Sequence, residues 1–412
     1  MRLKFSGLWR HADFIRLWSG QTISVFGSMI GGTAMSFTAI LVLKATPFQM
    51  GVLSSMELVP AFLVGLFAGA WVDRLHRRPL LIGADLGRAL LLATIPLAAL
   101  LGVLHINQVY VVALVVSILT LFFNVAYQSY LPALIGKDDL VEGNSKLSSS
   151  AAVAEFAGFS IAGWLVQVFT APLAVLIDAG SFVVSAVSVG LIRARELAIV
   201  PQEYPDMRRE IVEGLKVVFH QSLLRSSAIA VLIQSMAGGI FGALVVLYMS
   251  RGLGFNPGIL GMIWAVGGIS SFLGAAFAPR ISQSLGPGLA MIIGLGMSGI
   301  SSFFIVMASG ATLLSAMLLI AAQLGDGFYV IYEVNQVSLR QSIASEHMLG
   351  RVNATMQFFS LGATLTGSLL GGLLGGMLGV RLTLTLGACG ILLAVLALIL
   401  SPLRGLKEMP KS

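Results

Sequence analysis

The sequence predicts an all-α membrane protein with twelve transmembrane helices in two pseudo-symmetric bundles of six. The first observation is composition: 57% of the 412 residues are hydrophobic, 10% are charged and the mean hydropathy is +0.93. Soluble proteins carry about 25% charged residues, so this chain has too little polar surface to face water alone. The other two observations are a regular series of long apolar runs and the position of the basic residues between them.

Twelve apolar runs are long enough to cross a bilayer, which takes about 20 mostly apolar residues in a helix. They are too long and too uniformly apolar for barrel strands, so helices are expected. The predicted spans are residues 14–43, 48–72, 79–104, 108–134, 144–170, 172–192, 223–250, 257–280, 287–308, 311–341, 350–379 and 381–402.

Basic residues predict the orientation of these spans. If the N-terminus is cytoplasmic, 21 of the 25 lysines and arginines also lie on the cytoplasmic side. The other four are Lys44, Arg251 and Arg381 in outer loops and Arg88 within a span. Cytoplasmic loops are the ones enriched in Lys and Arg, so a missed or extra span would destroy this bias. We therefore expect a multi-pass membrane protein with both termini cytoplasmic. The net charge of +7 is explained by this topology, and nucleic acid is not an expected partner.

The connection between the sixth and seventh spans differs from the others, because it is long and polar and contains two prolines. Towards its end, apolar residues at helical spacing predict an amphipathic helix on the inner membrane surface. These residues are Ile211, Leu215, Val218 and Phe219. The predicted domains are an N-terminal bundle (1–192), a cytoplasmic linker with this helix (193–222) and a C-terminal bundle (223–412).

The two halves also share a weak internal repeat. A shift of about 209 positions aligns residues 142–165 with 351–374, so that Asn144 meets Asn353 and Gly163 meets Gly372. Near the start of each half, TPFQMGVL aligns with NPGILGMI at a similar shift. A repeat in parallel orientation predicts two bundles related by an axis along the membrane normal, with a substrate path between them.

A charged stretch, GAWVDRLHRRP, separates the second and third spans on the predicted inner side. It resembles the signature loop of the major facilitator superfamily, whose places are filled by Gly69, Asp73, Arg74, Arg77 and Arg78. One position departs from the pattern: a histidine stands where the family usually has a second glycine. Together with the twelve spans and the repeat, the resemblance covers nearly the whole chain.

The resemblance implies that Asp73 faces the start of the eleventh span, near Gly350 and Arg351, and helps to hold an inner gate shut. The alternative is a basic loop that only sets topology. Asp85 and Arg88 lie three residues apart in the third span, where a helix brings them to one face. We expect them to form a structural ion pair or to belong to the same inner network.

Six acids are predicted inside spans, where each costs about 2.5–3.5 kcal/mol on insertion scales. Such a cost favours the protonated form of a carboxyl group, which is what proton-coupled transport requires. The candidates for proton coupling are Asp326, Glu333, Glu57, Glu155 and Asp178. Asp326 and Glu333 are the main ones, because Asp326, Tyr329, Glu333 and Gln336 are predicted to form one polar stripe on the tenth span. Helix–helix hydrogen bonding is the alternative for any single polar residue.

The resemblance also implies that the first, fourth, seventh and tenth spans line a central aqueous cavity. Polar residues on these spans are therefore candidates for substrate contact: Gln21, Ser28, Asn124, Tyr127, Gln234, Tyr329 and Gln336.

Several kinds of chemistry have no support in the sequence. There is no GxxxxGK[ST] loop for ATP, no nucleophile with a matching base, and no cluster of histidine and cysteine with metal spacing. The single cysteine, Cys389, has no partner for a disulfide. We therefore expect neither an enzyme nor a bound metal or cofactor.

Four further segments resemble the efflux branch of the superfamily that includes macrolide and siderophore exporters. They are FIRLWSGQTISVFGSMI (14–30), LLIGADLGRALLL (80–92), REIVEGLKVVF (209–219) and EHMLGRVNA (346–354). This resemblance implies a monomeric antiporter that exports small amphiphilic molecules by alternating access, with the proton gradient as energy source and membrane lipid around it. A proton symporter for uptake, a lipid or lysolipid flippase and a non-transporting receptor remain as alternatives.

Overall fold

The computed structural model describes residues 7–72, 74–136, 139–194 and 207–410. Every regular element within these ranges is helical. The α-helices are α1 (Ala12–Phe37), α2 (Pro47–Leu63), α3 (Gly65–Val72), α4 (Arg77–Leu100), α5 (Ile106–Ile135), α6 (Leu140–Phe169), α7 (Ala171–Gly190), α8 (Met207–His220), α9 (Ser222–Leu247), α10 (Pro257–Leu285), α11 (Pro287–Met307), α12 (Leu313–Ile343), α13 (Glu346–Met377) and α14 (Val380–Ile399). Short 3₁₀-helices cover Gly7–Arg10 and Pro402–Gly405.

Each predicted span coincides with one of these helices or, in one case, with a consecutive pair. Ten helices within the described ranges are long and apolar enough to cross a membrane, and α6, bent by 41°, is an eleventh. The second predicted span is shared by α2 and α3. The turn between them interrupts the helix only slightly, because Val64 N–H still bonds to Pro60 O and Ala68 N–H to Val64 O, both at 2.9 Å.

The internal repeat is visible in the helices themselves. Helices α1 and α9 each have 26 residues, and each continues into a five-residue π-helical turn, at Thr38–Val42 and Tyr248–Gly252. Helices α2 and α10, which follow these turns, begin at Pro47 and Pro257. A π-turn is rare, so its presence at the same position in both halves supports the repeat more strongly than the weak sequence identity does.

The chain divides into two compact units. Unit 1 comprises residues 1–45, 56–203 and 257–261, and unit 2 comprises residues 46–55, 204–256 and 262–412. The core of unit 1 includes Phe14, Leu81 and Phe123, all nearly inaccessible. The core of unit 2 includes Met291, Leu295 and Leu339, which are fully buried.

Within unit 1, α6 and the first turn of α10 pack backbone against backbone. A Cβ atom on Gly163 would overlap the carbonyl oxygen of Pro257 and would lie 2.8 Å from the Cα atom of Gly261. Gln167 supports the same contact, since its side-chain oxygen accepts a 2.8 Å hydrogen bond from Gly258 N–H. The sequence fits this approach because only glycine leaves room for two helices at such a distance.

The predicted amphipathic helix is α8, in unit 2. Glu213 forms an ion pair of 2.5 Å with Arg351 of α13, and Gly214 packs against the backbone of Arg351. On its apolar face Val218 is buried, and Phe219 packs edge-on against Phe359 at 6.0 Å. Residues 195–206 of the predicted linker and the side chain of Ile211 lie outside the described part of the chain.

Candidate functional site

Unit 1 contains two adjoining cavities between α1, α5 and α6, with volumes of about 450 and 220 Å³. They are neighbours, because Thr22 and Ser150 line both. We refer to the two together as the α1–α6 groove. Helix α1 contributes Trp18, Thr22 and Phe26 at intervals of four, which places the three side chains on one helical face.

One end of the groove is aromatic. The rings of Trp9 and Trp18 meet edge to face at 4.9 Å, and Trp18 Nε1–H donates a 2.8 Å hydrogen bond to Ser150 Oγ. The ammonium group of Lys146 lies 4.1 Å from the centre of the Trp9 ring and 3.3 Å from Glu142. Glu142 in turn accepts a 3.1 Å hydrogen bond from Leu8 N–H, which fixes the 3₁₀-helix that carries Trp9. The aromatic rings are therefore held in place beside the ammonium group of Lys146, whose charge is compensated by Glu142.

The other end of the groove is polar. Three buried atoms that line it have no hydrogen-bond partner among the described residues: Gln21 Oε1, Thr22 Oγ1 and Tyr127 OH. Buried polar atoms are normally paired, and an unpaired one costs about 1–3 kcal/mol. A molecule in the groove could hydrogen-bond to these atoms. Two of the three residues, Gln21 and Tyr127, are among those predicted to contact substrate.

A second group of polar side chains lies deep in unit 1. Asp85 and Arg88 of α4 form the expected ion pair, and both are almost inaccessible. Asp178 of α7 is also buried, and it interacts electrostatically with Arg88. Ser28 Oγ of α1 donates a 3.5 Å hydrogen bond to Asp178. Ser28 therefore contacts a buried carboxyl group.

The signature loop is only partly described. Gly69 lies in α3, Asp73 lies outside the described residues, and Arg74 is exposed in the turn before α4. Arg77 is the first residue of α4. Arg78 binds the C-terminal end of α7, donating to Gly190 O at 2.5 Å and to Val189 O at 3.3 Å. A basic side chain at the C-terminal end of a helix satisfies carbonyl groups that have no partner within that helix.

The remaining acids have different surroundings. Glu57 of α2 and Glu155 of α6 are exposed at the protein surface. In unit 2, Asp326 and Glu333 of α12 are also exposed, and Asp326 packs directly against Gly267 of α10. Only Asp85 and Asp178, of the six acids predicted to lie inside spans, are enclosed by protein.

The four residues of the polar stripe predicted on the tenth span lie within an arc of about 80° on α12, but they differ in burial. Tyr329 is half-buried and faces Gln234 of α9. Gln336 is buried and donates a 3.3 Å hydrogen bond to Ser227. Ten residues at 3.6 per turn leave Gln336 about 80° away from Asp326 around the helix axis. In unit 1, Asn124 of α5 is exposed.

The sequence analysis missed the aromatic end of the groove. Lys146 is far from Trp9 and Trp18 in the sequence, and helical periodicity within one span does not bring the three residues together. The available signal was that two of the five tryptophans fall within ten residues at the start of the first span. Aromatic rings with a polar N–H group often mark places where an apolar surface meets a wet one.

Comparison with known proteins now identifies the family. Residues 17–362 match the model of the Major Facilitator Superfamily. The chain is 25% identical to the multidrug efflux pump Tap of Mycolicibacterium fortuitum, over 93% of this chain and 96% of Tap. It is also 25% identical to macrolide efflux protein A of Streptococcus pyogenes, over 50% of this chain and 51% of that protein. A crystal structure of the nucleoside transporter NupG superposes with a TM-score of 0.76 at 13% identity, covering 94% of this chain and 98% of NupG.

The chain therefore belongs to the Major Facilitator Superfamily. It is a multi-pass membrane transporter and not an enzyme, and its relatives include efflux pumps. The likeness to NupG concerns the fold alone.

Proposed function

We propose that this protein exports amphiphilic compounds, such as drugs or siderophores, across a bacterial inner membrane in exchange for protons. Both termini face the cytoplasm in this proposal, in agreement with the distribution of basic residues. The α1–α6 groove then opens near the cytoplasmic ends of its helices, where an exporter must take up its substrate.

The observation that carries the proposal is the composition of the α1–α6 groove. It combines the faces of Trp9, Trp18 and Phe26 with hydroxyl groups and with unpaired buried polar atoms. An amphiphile offers an apolar body to the first set and a polar group to the second. Aromatic side chains supply a large apolar contact area, and the N–H group of an indole adds a polar one. The names of the relatives, macrolide efflux protein A and multidrug efflux pump Tap, agree with this substrate class.

Energy for export would come from protons that bind to carboxyl groups in the spans. Asp326 and Glu333 on α12 are the first candidates, because they are acids on one span with open surroundings. Protonation would remove their charge and so change their affinity for substrate. Reduced affinity in the proton-loaded state is what couples substrate release to proton entry.

The decisive experiment is substrate-triggered proton flux in proteoliposomes with an imposed pH gradient. The panel should contain cationic dyes, macrolides, catechol siderophores and lysolipids, and protein-free liposomes serve as the blank. We expect one class to move towards the acidic compartment and to release protons from it. An ionophore that collapses the gradient should abolish the accumulation.

Other outcomes would identify the alternatives. A compound that moves together with protons indicates a symporter. Lysolipid movement that survives collapse of the gradient indicates a flippase. Binding without any flux indicates a receptor.

A further inference from the structure

Deep in unit 1, three ionisable side chains from two helices share one enclosed volume. Asp85 is 0% exposed, Arg88 is 3% exposed and Asp178 is 4% exposed. Arg88 Nη2–H donates to Asp85 Oδ1, and Arg88 Nη1–H donates a 3.3 Å hydrogen bond to Thr120 Oγ1 of α5. We refer to Asp85, Arg88 and Asp178 as the buried triad.

The guanidinium group of the buried triad is held between two aromatic rings. It lies 4.4 Å from the ring centre of Phe123 and 3.9 Å from that of Phe182. Stacking on both faces leaves only the edge of Arg88 for polar partners. Arg88 therefore cannot turn away from its acids without losing these contacts.

Asp178 lies against the backbone of α1. A Cβ atom on Gly31 would overlap the carboxyl group of Asp178, and one on Gly27 would lie 3.1 Å from Asp178 Oδ1. Ser28 Oγ donates a 3.5 Å hydrogen bond to Asp178 Oδ1, whereas Ser181 Oγ donates to the backbone oxygen of Asp178 at 2.7 Å and lies 3.3 Å from Oδ1. Of the helices packed around the triad, α4 and α7 supply its charged groups, whereas α1 and α5 supply hydroxyl groups, glycines and Phe123.

The charges of the buried triad do not balance. Two carboxylates and one guanidinium sum to a net charge of −1 in an apolar enclosure. An uncompensated buried charge is costly, and a carboxyl group avoids the cost by binding a proton. Besides Arg88, the buried hydroxyl group of Ser185 faces Asp85.

The second half of the chain shows that the fold does not require these charges. At a repeat shift of 209 or 210, Asp85 corresponds to Gly294 or Leu295, Arg88 to Met297 or Ser298, and Asp178 to Gly387 or Ala388. The same helices therefore pack in unit 2 without ionisable groups at these places. A purely structural need of the fold would apply to both halves.

We propose that the buried triad is a proton-binding site that holds one exchangeable proton between Asp85 and Asp178. This inference rests on the proposed function and adds to it a site in unit 1, separate from the acids of α12. Helix α1 connects the site to the substrate, since it carries Ser28, Gly27 and Gly31 beside Asp178 and carries Gln21 and Thr22 in the groove one to two turns earlier. Gain or loss of the proton changes the charge against which α1 packs.

The first test observes the proton directly, without transport. Infrared difference spectroscopy of the purified full-length protein at neutral pH should show the carbonyl-stretch band of a protonated, enclosed carboxyl group. D178N and D85N should each lose this band, because the remaining acid is then balanced by Arg88. R88Q should instead enlarge the band, because both acids must then be neutral. The band should persist in the double variant D326N/E333Q, which carries no change in unit 1.

Transport separates this inference from the proposed function. The transport test uses a compound that the wild type exchanges for protons. D178N should release one proton fewer than the wild type for each molecule carried. The control E408Q replaces an exposed acid outside the spans and should match the wild type. Absence of the band in the wild type, or its persistence in both D178N and D85N, overturns the proton site even if antiport is found. If the band is present and responds to the variants as expected, but no compound is exchanged for protons, the proton site is supported and the antiport proposal is contradicted. If R88Q fails to fold, D178N and D85N still decide the result.

Discussion

The indole nitrogen of Trp18 donates a 2.8 Å hydrogen bond to the hydroxyl oxygen of Ser150. The bond joins α1 to α6 in the middle of the α1–α6 groove and holds the Trp18 ring edge-on to Trp9. It gives the groove a fixed aromatic wall.

W18A should weaken substrate binding about tenfold, equivalent to about 1.4 kcal/mol, because it removes an aromatic face and an edge-to-face pair. W18F keeps the ring and loses only the hydrogen bond, so it should have a smaller effect, as should S150A. Binding can be measured by equilibrium dialysis, which does not depend on the tryptophans that these variants remove. The control is W164A, which removes an exposed tryptophan from the same helix as Ser150. If W18A and W164A lose the same amount of substrate affinity, the groove is not the substrate-binding site.

Replacing both exposed acids of α12 should reduce proton-driven accumulation of substrate. In D326N/E333Q the side chains keep their size but cannot take up a proton, so only the proton of the buried triad remains for exchange and accumulation should respond less steeply to the pH gradient. The measurement is substrate accumulation in proteoliposomes against gradient size, with thermal unfolding as a check of integrity. Undiminished pH-driven transport in the double variant would remove Asp326 and Glu333 from the mechanism.

Arg78 should stabilise unit 1 by binding the end of α7. Its two hydrogen bonds to Gly190 O and Val189 O are charge-assisted, and such bonds contribute about 1.5–3 kcal/mol each when well formed. R78Q should therefore lower the unfolding temperature in detergent, and R78K should fall between R78Q and the wild type because lysine lacks the planar fork of donors. R10Q changes an exposed arginine and should have little effect. If R78Q and R10Q unfold at the same temperature, Arg78 does not act as a helix cap.

Two glycine-to-alanine substitutions in neighbouring helices should have opposite signs. G163A places a methyl group against the backbone of Pro257 and Gly261, and overpacking of this kind costs about 1–3 kcal/mol. G180A lies in α7 with nothing within 4 Å, so it should gain up to about 1 kcal/mol from higher helix propensity. Thermal unfolding of the two variants in parallel measures both effects. An unchanged or raised stability of G163A would contradict the close approach of α6 and α10.

The sequence determined the helical membrane fold, the weak internal repeat and the positions of the eleven spans that are long and apolar enough to cross a membrane in the described part of the chain. These properties depend on the length of apolar runs and on charge between them, which are local and can be read along the chain. The ion pair of Asp85 and Arg88 was also predictable, because residues three apart in a helix share a face.

Only the tertiary structure decided which acids are enclosed. Asp178 and Glu155 are both single acids in apolar runs, yet Asp178 is buried against α1 whereas Glu155 is exposed. Helical periodicity shows which residues share a face, but not which face meets another helix. For the same reason the sequence did not bring Trp9, Trp18 and Lys146 together, since their contact depends on how the start of the chain folds back onto α6. The chemistry of this protein depends on packing, because burial and proximity between distant segments exist only in the folded chain.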